Sequence, residues 1–442
     1  MMKRAMLLVT VLAALGLTGL AAGGMDLGTN FWNLGWHKAG DCFKDVKNVT
    51  GDDPWNPQFL KDIAVFKSLR FMDWDNTNGS AREKWSERST KAAPKQNPVA
   101  YEWMMDLCNR NNADLWVTIP HRTINRTMTD QPCDYALRLC ILVKTGVDTK
   151  EVDLAPMLDR LAAMKAEQLV AAGGAKTCEP LKANLRLYVE YSNETWNGAF
   201  KQSHYCCGEG TALGLDKNEW TAGFRYHAWA ALRLFRAADL VFGADSKRVV
   251  KVLASHTANS WVTQQHVGVM ADPKCNPWNT QANAIATAPY FGHKVEGTAA
   301  DAVAQLRDAI RKCSEDSARQ KKVAGGAGLL LIAYEGGQHV IKKARDINRY
   351  PAMHDLYAEY LKEMSKHFTH FSHYAHVGGW GDGGAWGSME YTGQPLGEAH
   401  KYRALVEWGQ VPARPADGRS LGAAGQRSFA DSPSVAGQGL GR

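Results

Sequence analysis

Short apolar runs alternating with helical stretches constrain this chain more than any other feature. The runs are Leu27–Phe31, Leu69–Met72, Leu115–Ile119, Leu185–Tyr191, Val249–Ala254, Ala284–Ala288, Leu329–Tyr334 and Phe368–Tyr374. Helices are best marked between them at Pro57–Ser68, Ala100–Asn109, Ala155–Ala172, Thr221–Leu240, Ala299–Lys312 and Pro351–Phe368. Repeated strand–helix units at irregular spacing predict an α/β chain closed into a parallel (β/α)8 TIM barrel rather than an open doubly wound sheet. No Gly-x-Gly-x-x-Gly follows the first run, which removes the main signal for a dinucleotide fold. A length of 442 residues suits one such barrel, since these domains routinely exceed ordinary domain size.

The ends of the chain read differently from its middle. Lys3 and Arg4 precede the apolar stretch 5–20, and small residues follow at Gly19, Ala21, Ala22 and Gly23, the pattern of an export signal. The stretch is short for a membrane span and no basic flank follows it, so no stable membrane anchor is expected. No Cys stands at the cleavage point, which argues against a lipoprotein, and the mature chain is expected to start near 22–25. The reading is therefore a signal peptide over 1–23, a catalytic barrel over 24–410 and a disordered low-complexity tail over 411–442, rich in Gly, Ala, Ser, Pro and Arg. The destination is extracellular or periplasmic. Nine cysteines fit an oxidising compartment, with at least one left unpaired. Cys206 and Cys207 are adjacent and cannot readily bridge each other, so one of them is expected to pair with a distant partner. A net charge of +7, without basic runs interleaved with aromatics, gives no indication of nucleic-acid binding.

Two of the runs end in glutamate where strand gives way to loop. One continues through Glu190-Tyr191-Ser192-Asn193-Glu194-Thr195-Trp196-Asn197, and the other through Tyr334-Glu335-Gly336-Gly337. Two carboxylates at the carboxyl ends of separate parallel strands are what acid/base-plus-nucleophile cleavage of a glycosidic bond requires, with oxygens about 5 Å apart. Glu190 is the rival to Glu194, but it lies about 13 Å deeper along the strand, where a paired structural carboxylate is expected. Strand alternation puts Glu194 on the face of Ser192 and Glu190, with Asn193 opposite. A second Asn-Glu pair, Asn218-Glu219, stands in a polar stretch before a helix and reads as a solvated helix start. The long connections after the third and fourth runs, 121–154 and 196–220, are expected to lie over the carboxyl-end face and shape a cleft.

With these positions in hand, the chain resembles the clan A retaining glycoside hydrolases, especially the family 5 cellulase-like group. The resemblance rests on the Asn193-Glu194 pair, on Glu335 and on several further positions. Arg70 lies on the second run, His121 after the third, His256 after the fifth, Tyr290 after the sixth, and Trp380 or Trp386 after the last. It implies that Glu194 protonates the leaving oxygen and later deprotonates water, while Glu335 attacks the anomeric carbon. It also implies that Arg70, His121, Asn193, His256, Tyr290, Trp380 and Trp386 contact substrate. The partner implied is an oligosaccharide or polysaccharide, and no cofactor is called for. The chemistry asks for a protonated acid, which desolvation or a neighbouring negative charge would supply, and for an ionised nucleophile, which Arg70 and a Tyr290 hydroxyl would favour. Gly336 and Gly337 would let the backbone turn sharply beside Glu335.

Other clusters offer less. His367, His370, His373 and His376 recur at every third position, a spacing that alternates faces on a strand and so cannot converge on one ion. Asp73 and Asp75 could reach substrate hydroxyls or cap a turn. Phe31, Trp32, Trp36, Trp74 and Trp261 are candidate sugar platforms or packing residues. Two other functions share these features: a non-catalytic carbohydrate-binding barrel, and a metal-dependent barrel hydrolase using the histidines.

Overall fold

The computed structural model describes residues 24–32 and 39–410. The expected export signal, the tail and Trp36 lie outside the described residues. Eight parallel strands close into a barrel: β1 (Asp26–Asn30), β2 (Ser68–Arg70), β3 (Asp114–Ile119), β4 (Leu187–Tyr191), β5 (Val249–Ala254), β6 (Ala284–Thr287), β7 (Leu330–Ala333) and β8 (His370–His373). Each lies at one of the apolar runs. Gly28 closes the ring, pairing with Ser68 on one side and Ser372 on the other.

The helices follow the sequence less faithfully. They are α1 (Pro57–Ile63), α2 (Tyr101–Asn111), α3 (Asp134–Thr145), α4 (Ala166–Ala171), α5 (Lys201–Ala212), α6 (Glu219–Phe242), α7 (Ser260–Ala271), α8 (Ala299–Gly326), α9 (Ala344–Arg349), α10 (Ala352–Met364) and α11 (His400–Gly409). Helix α1 starts where Asn56 accepts from the Gln58 amide with Pro in the first turn, a strong start signal. Asn218 caps α6 by accepting from Thr221, so the second Asn-Glu pair is indeed a helix start. The expected helix at 155–172 is instead a 3₁₀ stretch, Ala155–Ala163, followed by the short α4. The two long connections are not open loops, because α3 occupies much of the first and α5 much of the second. Helix α3 is apolar nearly all round and buried, so it lacks the polar stripe that would mark it as a helix.

Inside the barrel, alternate residues point at one another. Trp116, Tyr188, Val250, Val252, Ala284, Ala286 and Ile332 form a compact inner core. Trp116 stacks on Tyr188 at 5.0 Å, and Ser68 and His370 share a hydrogen bond of 2.8 Å. The remaining histidines of the quartet go elsewhere: His367 to Ser314, His373 to Tyr357, and His376 into a cage of Phe31, Phe59 and Phe66.

All nine cysteines are unpaired thiols, which corrects the expected bridge from Cys206 or Cys207. The two diverge from α5. Cys206 lies against the Tyr191 hydroxyl, and Cys207 packs where Gly223 lets α6 approach.

Candidate active site at the carboxyl ends of β4 and β7

Alternation along the strands brings Asn30, Arg70 and Glu190 to the upper layer of the barrel interior. The Arg70 guanidinium is fully shielded from solvent and grips Glu190 with two bonds, Nε to Oε2 at 2.9 Å and Nη2 to Oε1 at 2.8 Å. Trp116 Nε1 adds a third donor to Glu190 at 2.8 Å. From the same guanidinium, Nη1 reaches Asn30 Oδ1 and Glu335 Oε1, each at 2.9 Å, and Nη2 reaches Asn193 Oδ1 at 3.1 Å. Burial disfavours the charge of Arg70, but Glu190 and Glu335 outweigh it and raise its pKa. Glu190 is thus a sealed, paired carboxylate, as its depth suggested.

Glu335 stands two residues past the end of β7 and is only 4% exposed. The Tyr290 hydroxyl donates to its Oε2 at 2.9 Å. Burial pushes the Glu335 pKa up to about 7; Arg70 and Tyr290 pull it down, and nearby Glu194 pushes it up. Arg70 and Tyr290 favour the ionised form, as expected, but desolvation exceeds their combined effect. The two glycines beside it are required by space. A Cβ on Gly336 would sit 2.6 Å from the Phe371 ring, and Gly337 has φ of 127°.

Glu194 lies past the end of β4, where Ser192 and Glu194 take left-handed φ values of 57° and 43°. Strand parity stops there. Asn193 consequently turns to Arg70 on the same side as Glu190, not opposite it. Such backbone costs about 1–3 kcal/mol per residue and persists only where surroundings fix it. Here Gln202 Nε2 donates to the Asn193 carbonyl at 2.8 Å, and Thr195 Oγ1 shares a 2.9 Å bond with His227 Nδ1. The carboxylate itself accepts from Tyr334 at 3.1 Å and from Asn197 at 3.0 Å. Tyr334 precedes Glu335 in sequence and lies over the Arg70 guanidinium at 4.8 Å. One tyrosine therefore links the two glutamates.

A cleft of about 500 Å³ opens beside this pair, lined by Glu194, Trp196, Asn197, Gly198, His256, Tyr290 and Tyr334 among others. His256 stands exposed on its wall; partial desolvation lowers its pKa, against the pull of Glu194 and Asp316. Trp386 connects to the site through its indole N–H, which donates to His339 Nδ1 at 3.1 Å, and the His339 ring lies 5.4 Å from Tyr290. Trp380 does not join them. It is 5% exposed, with its indole donating to the Gly387 carbonyl and Lys401 over its ring. His121 packs edge-on to Tyr205 between barrel and α5, and burial lowers its pKa to about 4.

Asp73 and Asp75 do structural work. Asp73 accepts from the Asn78 amide within its own turn, and Asp75 pairs with Arg82 and Tyr101. Phe31 and Trp74 are buried in the core, whereas Trp32 meets Tyr374 near Tyr290. Sequence reading passed over Asn30, Tyr334, Trp196, His339 and Tyr374. Tyr334 carried a usable signal, since it immediately precedes Glu335 at the end of an inward-facing run.

No family model matches the sequence, and no curated protein matches it. Among solved structures, the chain is similar to a family 51 α-L-arabinofuranosidase from Bifidobacterium longum, with 11% identity and a TM-score of 0.52 over 88% of this chain and 72% of that one. It is also similar to an α-L-arabinofuranosidase from Thermotoga maritima, with 12% identity and a TM-score of 0.49 over 87% of this chain and 70% of the other. A Bacteroidetes-affiliated GH5 cellulase gives 11% identity and a TM-score of 0.45 over 88% and 92%. The fold neighbours are glycoside hydrolases. At this identity the likeness to the Bifidobacterium longum structure speaks for the fold alone, which agrees with the closed eight-stranded sheet.

Proposed function

We propose that this chain is a retaining β-glycosidase in which Glu335 is the nucleophile and Glu194 the acid/base. The observation that carries this reading is the hydrogen-bonded set at the cleft: Tyr334 on Glu194, and Arg70 with Tyr290 on the adjacent Glu335. In the first step the Glu194 proton passes to the glycosidic oxygen as the C1–O bond breaks. A Glu335 oxygen bonds to C1 from the opposite face, giving a glycosyl ester. Glu194, now ionised, takes a proton from water; the water oxygen bonds to C1 and the Glu335 carboxylate departs. Arg70 stabilises the charge that returns to Glu335, and Asn193 is placed to hold the sugar 2-hydroxyl.

Only the ionised form of Glu335 can attack. Since burial holds its pKa near 7, activity on free substrate should rise with pH through that region rather than through the ordinary carboxyl range. A Glu335→Gly variant should be inactive and regain turnover with azide, yielding a glycosyl azide of inverted configuration. No azide product, with activity retained, would remove Glu335 from the mechanism. On the same reading the enzyme is exported, residues 1–23 being its signal, and acts within a polysaccharide. N-terminal sequencing of the protein recovered outside the cytoplasm, expected to start near 22–25, tests the first point. Product sizing on cellulose, mannan, xylan, mixed-linkage glucan and chitosan tests the second.

A further inference from the structure

We propose that Trp220, Phe224 and Trp261 form a second carbohydrate platform, which holds distant sugar units on the leaving-group side of a glycan chain. This rests on the glycosidase reading for its direction but not for its existence. Trp220 and Phe224 are four residues apart on α6 and therefore share one face. Trp261, at the start of α7, meets Phe224 edge-on at 6.1 Å, so three rings from two helices form one patch. Trp220 is 38% exposed and Trp261 43%, and among the described residues these are the two exposed tryptophans. Large flat rings partly exposed to water are what a pyranose face can stack on.

The patch is continuous with the cleft. Gly198 lines the cleft, and Trp220 lies directly on it: a Cβ there would come within 3.0 Å of the indole. His204 meets that ring edge-on at 6.0 Å, while its Nε2 bonds the Gly198 carbonyl at 3.0 Å. On the opposite bank Ala258 lines the cleft, three residues before Trp261. The acid/base protonates the oxygen of the departing group, so that group lies on the Glu194 side. From Glu194 the bank runs through Trp196, Asn197 and Gly198 to Trp220, which leads a departing chain onto the patch.

The test uses a Trp220→Ala/Trp261→Ala variant of the full chain, whose two exposed side chains can be removed without opening the core. The ratio of kcat/KM on a soluble polymer to kcat/KM on a short aryl glycoside of the same sugar should fall by about tenfold. An unchanged ratio would overturn the platform while leaving the glycosidase reading intact. Independently, the Glu335→Gln protein is run in native gels containing xylan, galactomannan, mixed-linkage glucan or hydroxyethyl cellulose. Retardation by one of these should be lost when the two tryptophans are replaced. Retardation that depends on them, together with a wild-type chain that cleaves none of the four glycans, would sink the proposed chemistry and keep the platform. Retardation indifferent to both, or no retardation by any of the four, would overturn the platform.

Discussion

Arg70 and Arg88 are both buried, each paired with two carboxylates, and a third carboxylate sets their surroundings apart. Arg88 grips Glu102 with two bonds of 2.8 and 2.9 Å and reaches Asp148 at 2.7 Å, while Trp85 donates to the other Asp148 oxygen at 2.8 Å. Arg70 repeats the arrangement: two bonds to Glu190, one to Glu335, and the Tyr290 hydroxyl on the far Glu335 oxygen. The Arg88 set ties a 3₁₀ turn at Trp85–Glu87 to α2. The Arg70 set has a third carboxylate, Glu194, close enough to raise the pKa of Glu335. The same guanidinium chemistry serves stability in one place. In the other it positions a group whose charge is left contested.

The comparison breaks most sharply at Glu335. Glu335→Gln should lower turnover by a factor on the order of 10³ or more, and Glu194→Gln by about 10²–10⁴. Stability should move the other way. The folded pKa of Glu335, about 7, lies above its ordinary 4.5, so its contribution is present at low pH and lost as pH rises through 7. At pH 8 the Gln variant should therefore gain up to about 3 kcal/mol relative to its standing at pH 4, measured by urea unfolding. Arg88→Met should do the reverse, costing about 3–5 kcal/mol because it strands a buried carboxylate. The kcat/KM of its folded fraction should stay near that of the wild type. If Arg88→Met abolished turnover without loss of stability, the distinction between the two networks would fail.

A smaller effect sharpens the contrast. The Tyr290 hydroxyl lowers the pKa of Glu335, so Tyr290→Phe should shift the acid limb of the kcat/KM profile to higher pH and cut the rate about tenfold. An acid limb that stays in place would mean that Glu335 does not control it. Smallest of all, Trp380→Phe removes one bond to the Gly387 carbonyl and should cost about 1 kcal/mol of stability, read as a modest fall in Tm with unchanged kinetics.

What the sequence revealed follows from which forces act locally. The barrel strands are short, apolar and bounded by turns, so all eight were legible. Glu190 could be set apart from Glu194 by depth alone. Position around the mouth was less legible, because it depends on left-handed residues at Ser192 and Glu194 that no period encodes. Trp380 and Trp386 looked equivalent by spacing, yet a loop that folds back buries the first and leaves the second against His339. Helix α5, which holds two Gly and two Cys, has weak helical propensity and is held by packing on α6 at Gly210 and Gly223. The cysteine count suggested bridges, but all nine thiols are free.

The central claim is that Glu335 carries the sugar through a covalent intermediate. The direct measurement is mass spectrometry of the protein treated with an activated 2-deoxy-2-fluoro glycoside of the sugar it releases. The label should lie on the peptide containing Glu335 and should be absent from the Glu335→Gln variant. Labelling of Glu190 or Glu194 instead, or unlabelled protein that releases a product of inverted configuration, would contradict the account.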